Sequence, residues 1–167
     1  FLSAMLLIAP MFPEGIHIHI TSEKTDGSYI RITRHMMEAF GVVTKFDGKD
    51  YFTPVDAAYH KKQYTIEPDM SAACYFYAAA AITGGRTLVQ NVHMDNTQGD
   101  LKFLEVLVQM GAKIEEKPEG IAVYGPKQGE LKGISVNMND FSDQTMTLAA
   151  IAPFCKDEVH IEGIGHI

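Results

Sequence analysis

Along the first part of the chain, segments in which apolar residues recur with the period of a helix are followed by segments with the period of a strand. The pattern predicts a helix, a strand, an amphipathic helix ending at Gly41, a hairpin and one more strand. These segments are residues 1–12, 16–21, 28–42, 43–54 with a turn at Asp47–Gly48, and 59–67. An Asp-Gly pair favours the tight turn of a hairpin.

The remaining residues predict the same kinds of element in the same order. An apolar helix, a strand, an amphipathic helix, a hairpin and a strand are followed by a second apolar helix and its strand. These segments are residues 69–82, 86–92, 97–112, 113–126, 131–138, 143–154 and 158–164. Gly84–Gly85 ends the first of these helices and Gly111 the second.

Two segments match element for element, which indicates an internal repeat. Residues 36–54 (MMEAFGVVTKFDGKDYFTP) and 106–126 (VLVQMGAKIEEKPEGIAVYGP) place Gly41 and Gly111 at the same point. A repeat of about 70 residues is too long for a thin solenoid. We therefore predict an α/β (α+β) fold with mixed sheets around buried parallel helices, in two partial domains.

Composition narrows the function classes. The chain has 167 residues, 46% hydrophobic and 21% charged, as expected of a globular protein. Its net charge of −7 argues against nucleic acid as a partner, because phosphate backbones require clustered Lys and Arg. The basic doublet Lys61–Lys62 is interpreted as a solvated surface pair.

The two cysteines and the lengths of the apolar segments indicate the cellular compartment and whether the chain could span a membrane. Cys74 and Cys155 lie in apolar helical runs, so buried structural thiols are favoured over a nucleophile or a disulfide. This favours a reducing, cytoplasmic compartment. No apolar stretch reaches the roughly 18–20 residues of a membrane span. Both ends of the sequence fall in apolar segments without a signal-peptide pattern, and we expect a piece of a longer chain.

Asp69 and Asp143 each open an apolar helix, and two interpretations remain. An Asp at a helix start caps free backbone N–H groups. Alternatively, several helix N-termini converging on one end would make an anion-binding surface. A carboxylate there would then grip hydroxyl groups or move a proton.

Other candidate sites are weaker. His17 and His19 share one face of a strand, a spacing that can hold a metal, but an exposed or cross-strand pair without metal is favoured. Ser142 and Thr145 have no His at the spacing of a hydrolase triad.

Four segments carry a resemblance to a known family. They are SYIRITRHMMEAFGV (28–42), IEPDMSAACYFYAAAAITGG (66–85), NTQGDLKFLEVLVQMGA (96–112) and NMNDFSDQTMTLAAIAPF (137–154). Their order and spacing resemble the 5-enolpyruvylshikimate-3-phosphate synthases, or 3-phosphoshikimate 1-carboxyvinyltransferases. The resemblance implies an enolpyruvyl transferase-like architecture, in which each of two domains holds three βαβαββ units. Residues 1–66 would be the last part of the first domain and residues 67–167 the first part of the second.

The resemblance also implies a reaction and a set of site residues. The enolpyruvyl group of phosphoenolpyruvate passes to the 5-hydroxyl of shikimate 3-phosphate, and phosphate leaves, in the pathway to aromatic amino acids. No metal or organic cofactor is implied. Asp143 matches the catalytic aspartate, which binds the 4- and 5-hydroxyls and takes part in proton transfer. Tyr29 and His166 match substrate-binding positions, and Asp69 matches a structural aspartate on the hinge side.

The sequence also departs from the family pattern. Asp26 replaces a phosphate-binding Ser, and Ser28 replaces a Pro. The family's S-S-Q segment would precede Phe1, and its R-x-K-E-x-D-R motif, which carries a catalytic Lys, would follow Ile167. We therefore predict that the 167-residue chain alone is inactive. The whole enzyme is expected to be a monomer, whereas the bare apolar edges of this piece favour self-association.

Two alternatives stay open at this point. The UDP-N-acetylglucosamine enolpyruvyl transferases share the repeats and the aspartate, although the sequence around Gln98–Gly99–Asp100 favours the shikimate enzyme. A non-catalytic α/β repeat module that binds a protein or a small anion would explain the short length and the few cations.

Overall fold

The computed structural model describes residues 1–23, 26–60 and 63–167 and forms two compact units, Phe1–Ile66 and Glu67–Ile167. The doublet Lys61–Lys62 predicted as a surface pair lies outside the described residues. Each unit has its own hydrophobic core.

The first unit packs two helices on a small antiparallel sheet. Its elements are α1 (Leu2–Ile8), a 3₁₀ turn (Ala9–Met11), β1 (Ile16–His19), α2 (Ser28–Ala39), β2 (Lys45–Phe46) and β3 (Asp50–Thr53). The strand order is β1-β3-β2, and both pairings are antiparallel. The core consists of Leu6, Met37, Val42 and Tyr51.

The second unit contains three helices and two sheets. Its helices are α3 (Met70–Thr83), α4 (Phe103–Gln109) and α5 (Thr145–Ile151), with 3₁₀ turns at Gly99–Lys102, Ser142–Gln144 and Ala152–Phe154. Its strands are β4 (Arg86–Gln90), β5 (Lys113–Lys117), β6 (Gly120–Tyr124), β7 (Ser135–Asn137) and β8 (His160–Glu162). One sheet has the antiparallel order β4-β6-β5, and β7 pairs with β8 in parallel.

The predicted repeat is confirmed in backbone detail. In both units a hairpin follows a helix, and its second strand pairs with the strand before that helix. The two helices also end alike: Gly41 N donates to Glu38 O and Gly111 N to Val108 O, at 2.9 and 3.0 Å. The next amides close the same wider ring, with Val42 N and Ala112 N donating to the carbonyls five residues earlier, at 2.8 and 2.9 Å. Positive φ angles of 97° and 110° explain why both positions are Gly.

The Ala-rich helix α3 forms the centre of the second core on one side only. It contacts α4, α5, β4 and β6, and Cys74 and Tyr77 are fully buried there. Small Ala side chains let these neighbours approach closely. Tyr75 and Phe76, on the other side, are each 61% exposed. Within this unit, the predicted burial of the helix therefore holds for the packed side, whereas the side that carries Tyr75 and Phe76 is exposed.

Two further predictions need correction. No strand forms in the described part of residues 59–67, because His60 N donates to the carbonyl of Phe40 at 2.9 Å rather than to a sheet. Asp143 does not begin the α-helix, since it lies in the 3₁₀ turn before α5, and Pro153 lies in the 3₁₀ turn that follows α5. Within the described ranges, no helix combines the length and the apolar character needed to cross a membrane.

Candidate functional site

Asp143 follows β7 at the edge of the sheet where both parallel strands end. Strand β7 ends at Asn137, and the amide of Met138 donates to Glu162 O at the end of β8, at 2.9 Å. Side chains that follow parallel strands gather at this edge, which is where α/β sheets bind ligands. The turn closes through Gln144 N, which donates to Phe141 O at 3.1 Å. The turn leaves the carboxylate-bearing residue Asp143 exposed.

His166 reaches the same turn from the other strand. Its Nε2 lies 3.3 Å from Oγ of Ser142, the residue before Asp143. Between β8 and His166 lies Gly163, whose φ is +75° and where a Cβ would lie 2.2 Å from the side-chain oxygen of Asn137, so the chain after β8 passes close to the end of β7. The segment that carries His166 therefore lies beside the Asp143 turn. An exposed carboxylate beside an imidazole and a hydroxyl suits the binding of hydroxyl groups and the transfer of a proton.

A buried carboxylate that sequence reasoning missed lies behind this turn. Asp100 accepts hydrogen bonds at Oδ2 from the hydroxyl of Ser71 and from Nε2 of Gln144, the latter at 2.9 Å. Thr147 Oγ1 donates to the other end of the Gln144 amide at 2.9 Å. The contacts join the beginnings of α3 and α5 to the turn before α4. The motif Gln98–Gly99–Asp100 marks Asp100 in the sequence, but nothing there identifies its partners.

Asp69 is a helix cap, as expected of a structural residue. Its Oδ1 accepts the amide of Ala72 at 3.1 Å. Gln98 completes the end of α3, because its Oε1 accepts the amide of Met70 at 3.0 Å and its Nε2 donates to Pro68 O at 2.7 Å. The amides of Met70 and Ala72 at the start of α3 therefore bind protein oxygens, which favours the capping interpretation of Asp69 over an anion site there.

Tyr29, the third predicted site residue, belongs to the first unit. It is the second residue of α2 and is 65% exposed. Asp26, where the family has a Ser, accepts Arg31 Nη1 at 3.2 Å and the hydroxyl of Tyr51 at 3.3 Å. Burial, and next the charge of Asp26, raises the pKa of Tyr51 to about 12. Arg31 offsets the negative charge that Asp26 adds near Tyr29.

A polar cavity of about 420 Å³ lies next to the Asp143 turn. Lys102, Asn137, Asn139 and Asp140 are among its lining residues, and Lys102 Nζ donates to Asp140 Oδ2 at 2.8 Å. The cation at this cavity is therefore already paired with a carboxylate. Strong binding of a phosphate group here would need additional positive charge.

The histidine pair of the first unit contacts a carboxylate on the neighbouring strand. Oδ1 of Asp50 lies 2.6 Å from His17 Nε2 and 2.8 Å from His19 Nδ1. Across residues 1–23, 26–60 and 63–167, no three His, Cys, Asp or Glu side chains form a group suited to a metal ion. The favoured interpretation of a cross-strand pair agrees with these contacts, since His17 and His19 on β1 share one carboxylate on β3.

Comparison with known proteins covers the whole chain. The family model for EPSP synthase (3-phosphoshikimate 1-carboxyvinyltransferase) matches residues 1–167. The chain belongs to the EPSP synthase family. A 3-phosphoshikimate 1-carboxyvinyltransferase from Trichormus variabilis is 42% identical over 167 residues, which are 99% of this chain and 39% of the relative. Proteins of that name from Serratia proteamaculans and Methanosphaerula palustris are 39% and 35% identical, over 98% and 100% of this chain and 38% and 39% of theirs.

A solved structure of this family agrees with the fold. EPSP synthase from Acinetobacter baumannii superposes with a TM-score of 0.67 at 21% sequence identity, over 90% of this chain and 36% of that one. The predicted α/β architecture of the enolpyruvyl transferase type is thereby confirmed, as is the resemblance on which it rested. This member of the EPSP synthase family spans about two fifths of the length of its curated relatives.

Proposed function

We propose that the polypeptide containing this chain transfers the enolpyruvyl group of phosphoenolpyruvate to the 5-hydroxyl of shikimate 3-phosphate and releases phosphate. The family match over residues 1–167 carries this proposal. The curated relatives bear the name of that activity, at up to 42% identity. The reaction would serve aromatic amino acid biosynthesis, and we assign it to the cytoplasm.

In the proposed reaction, Asp143 acts at the sugar hydroxyls. The 5-hydroxyl oxygen forms a bond to C2 of phosphoenolpyruvate while C3 gains a proton. The intermediate then loses phosphate from C2 and a proton from C3, which restores the double bond. A carboxylate at Asp143 would accept hydrogen bonds from the 4- and 5-hydroxyls and take up the proton of the reacting hydroxyl. The exposure of Asp143 at the carboxyl edge of β7 and β8 supports this role.

His166 and Tyr29 would bind the same substrate. The contact between His166 and Ser142 supports a place for the imidazole beside the bound sugar. The exposed ring of Tyr29 would lie against shikimate 3-phosphate. The cations needed for two phosphorylated substrates would come mainly from other parts of the polypeptide. Residues 1–66 would then be the last part of the first domain of the enzyme, and residues 67–167 would be the first part of the second.

The direct test is phosphate release by the polypeptide encoded by the complete reading frame that contains these residues. With phosphoenolpyruvate and shikimate 3-phosphate we expect turnover, and UDP-N-acetylglucosamine as acceptor should give none. Asp143→Asn should lower kcat by ~10²- to 10⁴-fold, the usual contribution of a positioned acid or base. Asp157→Asn changes an exposed carboxylate elsewhere in the second unit and should leave kcat unchanged.

Two results would contradict the proposal. The first is a folded complete polypeptide that releases no phosphate from this substrate pair, and the second is full activity of Asp143→Asn. The separate 167-residue chain should bind and turn over neither substrate measurably.

A further inference from the structure

Asp100 is a carboxylate in an unusual setting, because it is 7% exposed within a hydrophobic core. Burying a carboxylate is costly unless hydrogen-bond donors replace the lost water. Here the donors are the Ser71 hydroxyl and the Gln144 amide, both on the same oxygen. Neither donor carries a charge. The carboxylate is therefore stabilised only if the Ser71 hydroxyl and the Gln144 amide both direct a hydrogen atom at its oxygen.

Gln144, the residue directly after Asp143, is held at three points. Its Nε2 donates to Asp100, its Oε1 accepts the hydroxyl of Thr147 at 2.9 Å, and its amide N donates to Phe141 O at 3.1 Å. Its side chain is buried, with 1% exposure. A 3₁₀ turn of three residues has little internal rigidity. The orientation of Asp143 therefore depends on how firmly Gln144 is fixed.

We propose that Asp100 is a positioning residue, whose carboxylate acts through the side chain of Gln144 to hold the Asp143 turn in its reactive orientation. This inference rests on the proposed function of Asp143. A displacement of about 1 Å in a reacting group can lower a rate ~10²-fold. Precise placement requires supporting hydrogen bonds behind the residue that touches the substrate. Asp100 supplies that support from the side opposite to the exposed face of the turn.

The role of Asp100 can be separated from simple packing by reversing one hydrogen bond. Asp100→Leu has a similar size but no acceptor, so the Ser71 hydroxyl and the Gln144 amide both lose their hydrogen-bond partner. In the double variant Asp100→Asn/Gln144→Glu, the Asn amide can donate to the new carboxylate, which still accepts from Thr147. The double variant preserves side-chain size and total charge while restoring the contact.

The first measurement is hydrogen exchange in the complete polypeptide, since it does not depend on activity. Asp100→Leu should raise exchange in residues 141–147, and the double variant should restore protection. Tyr77→Phe is the matched control, because it removes a buried hydrogen bond of the same core, from the Tyr77 hydroxyl to Ile121 O at 3.2 Å. This control should leave exchange in residues 141–147 unchanged. Unchanged exchange in Asp100→Leu would overturn the proposal, whether or not the polypeptide proves to be an enzyme.

The second measurement separates kcat from KM. Asp100→Leu should lower kcat at least ~10-fold with KM for both substrates nearly unchanged, the signature of an interaction needed in the transition state. The double variant should recover most of kcat, and Tyr77→Phe should keep it. Equal losses of kcat in Asp100→Leu and Tyr77→Phe would mean that Asp100 has a purely structural role. If the Asp100 variant changes exchange but the wild-type polypeptide shows no turnover, the support of the turn by Asp100 is confirmed. Its catalytic purpose and the proposed function are then both refuted.

Discussion

Oδ1 of Asp50 lies 2.6 Å from His17 Nε2, and the two residues come from different strands of one sheet. The register places Asp50 directly opposite His19, whose Nδ1 is 2.8 Å from the same oxygen. His17 also stacks on Phe52, with ring centroids 4.5 Å apart. A single carboxylate therefore joins both imidazoles on one face of β1.

The first prediction concerns the acid stability of this cluster. Hydrogen bonds from His17 and then His19 hold the pKa of Asp50 below its usual value. A depressed folded-state pKa stabilises the fold above the unfolded-state pKa of about 4, and this stabilisation disappears as the pH falls through the folded-state pKa. Asp50→Asn should therefore unfold at a lower urea concentration than the parent at neutral pH, and the difference should vanish in strong acid.

Circular dichroism of the 167-residue chain in urea, repeated along a pH series, measures this difference. Glu14→Gln removes an exposed carboxylate of the same unit and should not change the shape of the pH dependence. A gap between Asp50→Asn and the parent that stays constant into strong acid would show that the ionised cluster is not its source.

Local sequence patterns were sufficient to predict the repeat, because each helix end and hairpin turn is determined by residues that are close together in the sequence. Gly41 and Gly111 mark positive φ angles at helix ends, and Asp47–Gly48 marks a hairpin turn. Alternation and helical periodicity supplied the elements between them. The strand predicted at residues 59–67 failed because its apolar pattern was short, and at least one of its backbone donors binds a helix end instead.

The candidate site was only partly predictable, for a physical reason. Asp143 and His166 follow family motifs, so matching residues could nominate them, and their assignments remain proposals. Asp50 and Asp100 depend on contacts between residues 29 to 44 positions apart, which no local pattern encodes. The start of the helix after Asp143 was also misplaced, since a 3₁₀ turn and an α-helix share nearly the same apolar spacing.

The second prediction tests the repeat through its glycines. Ala at Gly111 would meet Pro126 Cβ at 3.7 Å, an ordinary contact, so the cost arises from the positive φ alone. We expect Gly111→Ala to lower the free energy of unfolding by about 1–2 kcal/mol. Gly41→Ala should cost a similar amount, since its nearest neighbour would lie at 3.4 Å.

Urea unfolding of the 167-residue chain provides the comparison. Gly165→Ala is the control, because Gly165 has no positive φ and a Cβ there would meet nothing within 4 Å. A Gly111→Ala variant as stable as Gly165→Ala would show that the two helix ends do not require glycine.

The third prediction separates capping from catalysis at Asp69. Its carboxylate accepts the amide of Ala72, and an Asn oxygen can do the same. Asp69→Ala should lower the stability of the 167-residue chain by about 1 kcal/mol, whereas Asp69→Asn should keep nearly all of it. In the complete polypeptide, Asp69→Asn should retain phosphate release. A large loss of kcat in a stable Asp69→Asn variant would instead assign a chemical role to the charge.

The fourth prediction is a large difference in reactivity between the two free thiols. Cys74 is fully buried, and burial, followed by the charge of Asp100, raises the pKa of its thiol. Cys155 is half-buried, and its pKa is raised by burial and then by Asp157. Thiolates are the reactive form, so both should react slowly at neutral pH, and Cys155 should react first.

An aromatic disulfide reagent should therefore modify one thiol in the native chain and two in concentrated guanidinium. Cys155→Ser should abolish the native reaction and Cys74→Ser should preserve it, whereas native modification of Cys74 would mean that the α3 core opens readily.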